Sequence, residues 1–321
     1  MPAVKQISHR LSTESKFLPN LERLVLKDMM ALEELPSLGQ LPSLKVLRIE
    51  RMPAVKKVGY GFFGSRDQGK CLPSLEKLKF RDMPELEEWS WADGRRLFPC
   101  LRILEIVECL RLKRLPPLPP VETLRLDKVG LTEVAGLREG IHGGDSCITA
   151  SLSSMEISQC LNLRNLEEGL LSHSFPNIGD IAILECAELV LLPEKEFKEL
   201  TSLKKLSIRS CPKLLSMTRD GDIDIPLPPS IEELVLFDCG NMRLPVHRVS
   251  SSNVAASPET TSISEILEMC LTALRWLEFK DCKNLQSLPI ELHAFPSLCL
   301  LTIIGCPEIQ ALPEKGLPTE E

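Results

Sequence analysis

One nine-residue pattern recurs eleven times along this chain and constrains its fold more than any other feature. The pattern is L-x-x-L-x-L-x-x-C, in which the ninth position holds Cys, Met or, once, Val. Successive copies begin 20 to 31 residues apart, with one interval of 43 residues, and the fourth and sixth positions are apolar in all 22 instances. Hydrophobic residues make up only 43% of the chain, so chance does not explain this regularity. The copies begin at Leu21, Leu44, Leu75, Leu101, Val121, Leu152, Ile178, Leu203, Ile231, Leu274 and Leu298.

The alternation of apolar residues at the fourth and sixth positions is typical of a β-strand, because both side chains then point to the same face. One short strand cannot bury that face alone, so the copies must stack against each other. The stack predicts an α/β solenoid, the leucine-rich-repeat horseshoe, with about eleven repeats. Its parallel sheet is expected on the concave face, and irregular or short helical segments are expected on the convex side.

The whole chain, residues 1–321, is expected to form a single leucine-rich-repeat domain. Its first residues, MPAVKQIS, resemble MPAVKKVG at residues 52–59, which follow a repeat strand. The chain is therefore expected to start in the middle of a repeat. The closing EKGLPTEE resembles the segment that leads into another repeat, so we expect the chain to end mid-repeat too. Spacings longer than the repeat predict insertions at about residues 60–70, 130–150 and 246–271.

The charge and hydropathy of the chain limit the classes of partner that it is expected to bind. The net charge is −7 and the pI is near 5.5, which argues against a nucleic-acid or anionic-membrane partner. No apolar run approaches the roughly 20 residues that a membrane-spanning helix needs. None of the asparagines lies in an N-x-S/T acceptor sequence. We therefore expect a protein partner and a cytoplasmic location.

Most of the cysteines occupy the same position, the ninth, of the repeated pattern. A metal site would favour closely spaced pairs such as C-x-x-C, and none occurs. A disulfide framework would require an oxidising compartment. The pattern therefore predicts a row of buried, reduced thiols that pack where the backbone leaves the sheet. Seven of the twelve cysteines occupy ninth positions, namely Cys109, Cys160, Cys186, Cys211, Cys239, Cys282 and Cys306.

The sequence offers no catalytic constellation. None of its five histidines lies in an H-E-x-x-H motif, and no G-x-S-x-G motif occurs. The segment from His142 to Asp145 supplies only one His and one Asp for a metal. Paired carboxylates such as Glu33 and Glu34 fall on the segments that return between strands, where a solvated face is the usual explanation. We expect a binding module rather than an enzyme, without a cofactor or a metal.

Two long phrases of the chain resemble the C-terminal repeats of plant intracellular immune receptors. The phrases are LPSLGQLPSLKVLRIERMPAVKKVGYGFFG and FPSLCLLTIIGCPEIQALPEKGLP. The receptors are the nucleotide-binding leucine-rich-repeat disease-resistance proteins, and the similarity is greatest to the coiled-coil class of grasses. The resemblance implies detection of a pathogen effector or a guarded host protein, and restraint of a switch domain. No G-x-x-x-x-G-K-[S/T] stretch occurs in the chain, so nucleotide binding is not carried over.

Side chains at the third, fifth, seventh and eighth positions are expected to point away from the core, and we call the surface that they form the open sheet face. In the first three repeats this face carries seven basic and three acidic residues, whereas in the next four it carries two basic and six acidic residues. The basic end is a candidate for docking on the switch domain, although a mixed solvated surface explains the charges equally well. Its seven basic residues are Arg23, Lys27, Arg48, Arg51, Lys77, Lys79 and Arg81.

The last four repeats place apolar residues on the same face, which is unusual for a solvated sheet. Binding energy in protein interfaces concentrates in a few aromatic and Arg side chains, so Phe237 and Trp276 are the predicted anchors for a partner. Cover by the neighbouring insertion, residues 246–271, is the alternative explanation for both. The complete candidate site comprises Arg209, Val235, Phe237, Trp276, Glu278, Lys280, Leu300 and Ile304.

Two functions of different classes fit these observations. The first is the recognition and autoinhibition module of an immune receptor. The second is a substrate-recognition or scaffold protein, such as the repeat region of a ubiquitin-ligase adaptor. A P-loop sequence upstream in the full gene would favour the first function, and an F-box sequence would favour the second.

Overall fold

A computed structural model describes most of the repeat strands and the turns beside them. The described residues are 18–39, 41–59, 62, 72–90, 98–116, 121–134, 152–166, 177–190, 192, 200–214, 228–239, 272–283, 285 and 295–309. The predicted mid-repeat start and end of the chain lie outside them, as does the predicted insertion at 246–271.

Short β-strands dominate the described residues, in which Phe62 alone is helical. Eleven strands form one parallel sheet, and their order in the sheet follows their order in the sequence. Each of these eleven strands coincides with one copy of the sequence pattern, so the predicted leucine-rich-repeat solenoid is confirmed. The sheet strands are β1 (Arg23–Lys27), β2 (Val46–Glu50), β4 (Lys77–Arg81), β6 (Ile103–Cys109), β7 (Thr123–Val129), β9 (Ser154–Ser158), β11 (Asp180–Leu184), β12 (Lys205–Arg209), β13 (Glu233–Phe237), β14 (Trp276–Lys280) and β15 (Leu300–Ile304).

Strand pairing in the large sheet keeps equivalent positions of the repeat side by side. Leu24 of β1 pairs with Leu47 of β2, and Leu277 of β14 pairs with Leu301 of β15. The same register holds for the pairs between them. Each position of the pattern therefore forms a row that crosses the sheet, with neighbouring members about 4.8 Å apart.

The core lies on one face of this sheet. From β2 to β14, side chains at the fourth and sixth positions are at most 2% exposed. In the two edge strands the same positions are only half-buried, because each has a neighbouring strand on one side alone. These half-buried residues are Leu24, Leu26, Leu301 and Ile303.

The eighth position of every repeat has a left-handed backbone conformation. Its φ angle lies between 46° and 64° in all eleven repeats, from Asp28 to Gly305. Residues other than Gly seldom adopt this backbone conformation, although Asp tolerates it better than most. The backbone N–H of Asp238 nevertheless donates to the carbonyl of Lys280 at 2.8 Å, so the turn continues the hydrogen bonding of the sheet while it directs the ninth side chain into the core.

Four shorter strands pair outside the large sheet, in the segments that return between repeats. The strand β3 (Lys57–Val58) pairs with β5 (Glu88–Trp89), and β8 (Glu133–Val134) pairs with β10 (Asn165–Leu166), both in parallel. The ring of Trp89 is buried and packs edge-on against Phe80 of β4, with centroids 5.1 Å apart. The aromatic contact therefore joins the returning segment to the sheet.

Some residues near the start of two predicted insertions belong to the repeats and their core. Phe62, within the predicted insertion at 60–70, is 2% exposed, and its carbonyl accepts a hydrogen bond from the backbone N–H of Leu38. Residues 130–134, within the predicted insertion at 130–150, continue the repeat through buried Leu131 and strand β8. The remaining residues of both insertions lie outside the described residues.

Candidate protein-recognition surface

The open sheet face is formed by alternating side chains of the eleven sheet strands, opposite the core. The structure places all fifteen predicted candidate residues on it, at the third, fifth, seventh and eighth positions of their repeats. Parallel pairing in constant register brings residues from distant parts of the sequence into the same row. The surface is thus built from many repeats at once.

Four of the seven basic candidates have acidic partners on neighbouring strands. Arg51 pairs with Asp28, and Arg81 lies 3.7 Å from Glu108. Glu105 of β6 lies 2.5 Å from the Lys77 ammonium and 2.9 Å from that of Lys79. The boundary between the basic and acidic repeats is therefore a set of ion pairs rather than two opposed patches.

Glu105 is one of the six acidic residues counted on the open sheet face of the middle repeats, but its pairing with two lysines was not predicted. Its side chain is 17% exposed. Burial alone would raise the pKa of this carboxyl group, but hydrogen bonds from Lys77 and Lys79 outweigh burial and hold the pKa below its usual value. The signal was present in the sequence, because Glu105 and Lys79 occupy the fifth positions of consecutive repeats.

Arg23, Lys27 and Arg48 keep their charges available at the basic end. Within the described residues no carboxylate forms an ion pair with any of them. The Nε atom of Arg48 is buried and has no hydrogen-bond acceptor among the described residues. Since an unsatisfied buried donor costs about 1–3 kcal/mol, an acceptor supplied by another protein domain would stabilise this end of the sheet.

The acidic residues of the middle repeats are largely satisfied by their neighbours. Arg125 lies 3.5 Å from Glu156 and 3.7 Å from Asp127, and Ser158 donates a hydrogen bond to Asp127 at 3.0 Å. Such partly exposed pairs contribute little stability individually. They compensate Glu156 and Asp127 locally, but the excess of acidic residues in this part of the face remains, because Arg125 is already one of its two basic residues.

The aromatic candidates lie on the same face but do not touch each other. Trp276 occupies the third position of β14 and pairs with Glu233, whereas Phe237 occupies the seventh position of β13 and pairs with Lys280. Four residues along a strand correspond to about 13 Å. The two anchors predicted as one cluster therefore form two apolar patches at opposite ends of the strands.

Each patch extends to the exposed edge strand. Leu300 pairs with Trp276, and Ile304 pairs with Lys280; these two apolar side chains are 47% and 51% exposed. The Lys280 ammonium lies 5.4 Å from the Phe237 ring centroid, within the range of a cation–π contact. Trp276 is half-buried, and its buried indole nitrogen has no hydrogen-bond partner in the part of the chain that the structure describes.

The other candidates complete this part of the face. Val235 and Glu278 lie side by side at the fifth positions of β13 and β14, and both are half-buried. Arg209 pairs with Phe237 at the seventh position and donates a hydrogen bond from Nε to Ser207 at 3.2 Å. Arg209 therefore borders the Phe237 patch, whereas Trp276 has no basic neighbour in its row.

The ninth-position thiols lie in the core, as predicted. Six of the seven are buried, and Cys306, next to the edge strand, is half-buried. Burial raises the pKa of Cys109, Cys160 and Cys239 to about 12. Thiols with such a pKa are almost entirely protonated at neutral pH, so their role is packing rather than nucleophilic chemistry.

Sequence comparison finds relatives among plant disease resistance proteins. The disease resistance RPP13-like protein 1 of Arabidopsis thaliana is 32% identical over 270 residues, which cover 81% of this chain. This chain resembles part of a plant disease resistance protein. The disease resistance protein At3g14460 of the same plant is 27% identical over 349 residues, covering 89% of the chain. The Arabidopsis protein SUPPRESSOR OF npr1-1, CONSTITUTIVE 1 is 26% identical over 187 residues, covering 51%.

The chain spans only a part of these relatives, namely 21%, 24% and 12% of their lengths. No protein-family model matches it. Among solved structures, a leucine-rich-repeat protein of Leptospira interrogans matches 90% of this chain and 85% of its own chain, with 16% sequence identity and a TM-score of 0.27.

Within the described residues, no helix has the length and apolar character needed to cross a bilayer. Nor does any group of three or more His, Cys, Asp or Glu side chains within those ranges have the arrangement of a metal site.

Proposed function

We propose that this chain is the protein-recognition module of an intracellular plant immune receptor, and that it has no enzymatic activity of its own. The observation that carries the proposal is the exposure of Leu300 and Ile304 on a continuous sheet face that also carries half-buried Trp276 and Phe237. Exposed apolar patches of this kind mark surfaces for protein partners. The similarity to plant disease resistance proteins supports the defence role.

The partner on this surface is a pathogen effector or a guarded host protein, and the module acts in the cytoplasm. The opposite end of the sheet contributes to autoinhibition by docking on the receptor's switch domain. Arg23, Lys27 and Arg48 are the docking residues best suited to that role, because the other four basic candidates are already paired with carboxylates. The phrases that resemble the coiled-coil class of grass receptors support assignment to that class.

The recognition surface is tested in the full-length receptor, expressed in leaves together with the protein that triggers it. The variants Trp276→Ala, Leu300→Glu and Ile304→Glu change the open sheet face, and we expect each to abolish or strongly weaken the cell-death response. Leu161→Glu is the matched control, because Leu161 is 58% exposed but follows a ninth position and lies off the open sheet face.

Receptor accumulation, measured by immunoblot, should be the same for all four variants, since the changed side chains are exposed or half-buried. A normal response from all three open-face variants at normal protein levels would remove this surface from recognition. Equal loss of response in the Leu161→Glu control would instead indicate a general sensitivity to surface charge.

A further inference from the structure

The last three sheet strands place apolar side chains at the third and seventh positions, with one carboxylate between them on the central strand. At the third position Trp276 lies between Glu233 and Leu300, and at the seventh position Lys280 lies between Phe237 and Ile304. Glu278 occupies the fifth position of the central strand. The surface therefore carries apolar side chains at both ends of the strands, with Lys280 among them at one end, and a carboxylate in the middle.

Glu278 differs from the other fifth-position carboxylates of the open sheet face. Glu105 is held by two lysines, and Glu156 lies 3.5 Å from Arg125. The row neighbours of Glu278 are Val235 and Thr302, and within the described ranges no basic side chain forms an ion pair with it. A half-buried carboxylate flanked by uncharged side chains is a site for a cation supplied from outside.

The surrounding charges reinforce this preference. Asp238 and Asp281 occupy the eighth positions of β13 and β14, and no ion pair links either of them to a described basic residue. Lys280 is the nearest base along the strand, but its ammonium lies over the Phe237 ring. The local field therefore favours a positively charged partner group over a negative one.

The spacing of the rows indicates how a partner lies. Third, fifth and seventh positions are two residues apart along a strand, which is about 6.7 Å. An extended polypeptide has the same repeat for side chains on one side, so residues i, i+2 and i+4 match the three rows. The spacing across strands is about 4.8 Å and does not match this period. The occupant is thus extended and runs along the strands.

Taking the proposed recognition function as its basis, we propose that this surface binds an extended segment of the partner protein with the sequence pattern apolar-x-basic-x-apolar. The Lys or Arg side chain pairs with Glu278. One apolar side chain packs against Trp276 and Leu300, and the other packs over the methylene chain of Lys280, between Phe237 and Ile304. Because the pattern reads the same in both directions, it is independent of the direction of the segment.

Synthetic peptides test this assignment directly on the 321-residue chain. The probe is fluorescein-labelled Gly-Ser-Leu-Ser-Arg-Ser-Leu-Ser-Gly, titrated by fluorescence anisotropy. One comparison peptide has Glu in place of Arg, and a second exchanges the Arg with the following Ser, which breaks the period at constant composition. We expect saturable binding of the probe and affinity lower by about tenfold for either comparison peptide.

A charge reversal in the protein makes the test specific. Glu278→Arg should weaken binding of the Arg peptide by about tenfold and make the Glu peptide the better ligand. Thr302→Ala is the control, since it changes an uncharged neighbour in the same row and should preserve the preference for Arg. Absence of saturable probe binding, equal affinities for the three peptides, or an unchanged preference in Glu278→Arg would overturn the proposal.

The same substitution separates this proposal from the function on which it rests. If Leu300→Glu abolishes the response of the full-length receptor but Glu278→Arg leaves it intact, the recognition surface is correct and the basic-residue assignment fails. If neither change alters the response, the recognition surface itself fails. Loss of the response in both supports both proposals.

Discussion

At the residue scale, Gly130 lies close against the backbone of the preceding repeat. A Cβ atom added there would lie 1.9 Å from the backbone carbonyl oxygen of Leu110. This contact falls beside the shortest repeat interval, where β6 and β7 pair as far as Cys109 and Val129. The position therefore accepts no side chain without movement of the backbone.

We expect Gly130→Ala to lower the free energy of unfolding by about 3 kcal/mol, because overpacking against backbone displaces two repeats. Gly59→Ala is the control, since among the described residues its added Cβ would come nearest to the Ser90 hydroxyl, at an ordinary contact distance of 3.8 Å. Denaturant unfolding followed by circular dichroism measures both. Equal stabilities for the two variants would show that the repeats separate there at little cost.

Thiol reactivity at the residue scale follows burial. We expect Ellman's reagent to modify exposed Cys100 and Cys299 rapidly in the native protein. Cys109, Cys160 and Cys239 should react only on unfolding, since burial raises the pKa of each to about 12. Because the folded state favours the protonated thiol, this stabilising contribution is complete below the ordinary pKa of 9.0 and is lost as pH rises towards 12. Rapid native modification of all cysteines would contradict the packed core.

At the element scale, Glu105 joins β6 to β4 through two lysines. We expect Glu105→Gln to lower the free energy of unfolding by about 1–2 kcal/mol at neutral pH, since the lysines lose their shared carboxylate. The pKa of Glu105 is held below its ordinary value of 4.5. Its stabilisation is therefore present above that value and is lost as pH falls through the lower, folded-state pKa.

The measurement for Glu105 compares unfolding of the wild type and the variant at pH 7 and at pH 3, where the difference should shrink. Glu88→Gln is the control, because Glu88 and its partner Lys57 are 60% and 65% exposed. We expect no measurable change for that pair, as for most exposed ion pairs. A difference for Glu105→Gln that does not depend on pH would assign the effect to packing rather than to charge.

The sequence predicted the elements that depend on residues adjacent in the chain, and it missed the features that depend on the folded structure. The alternation of apolar and polar residues, as at Leu47 and Ile49, identified the sheet strands, because the burial pattern of a strand follows from residues that are adjacent in the sequence. The use of Phe62 and Leu131 by the core was missed, since the returning segments follow no fixed spacing. Left-handed φ at residues such as Lys128 was missed too, because only the turn geometry imposes it.

The same distinction applies to the candidate site. The constant register places Trp276 and Phe237 at opposite ends of their strands, so their separation could have been predicted from their positions in the repeat. The sequence could not predict the cation–π contact between Lys280 and Phe237 or the burial of the Trp276 indole nitrogen. Both depend on side-chain conformations that neighbouring repeats select together.

At the scale of the whole molecule, the sheet is a one-dimensional stack in which each repeat contacts only its neighbours. The register carries Phe237 and Ile304, which are distant in the sequence, into one row. A recognition surface built in this way is as rigid as the stack beneath it. Its apolar rows lie at the edge of the stack, where support comes from one side alone.

Stability should therefore fall from the middle of the stack towards its edge strands. The core residues Leu234 and Leu236 of β13 are fully buried, whereas Leu301 and Ile303 of β15 are half-buried. Because local opening free energy follows buried apolar contacts, we expect native-state hydrogen exchange to be fastest in β1 and β15 and slowest in strands such as β7 and β9. Leu234→Ala should lower the free energy of unfolding by about 2–5 kcal/mol and Leu301→Ala by roughly half as much. Uniform protection across the sheet, with equal losses for the two variants, would mean that the stack opens as one cooperative unit and that its edge strands are no weaker than its centre.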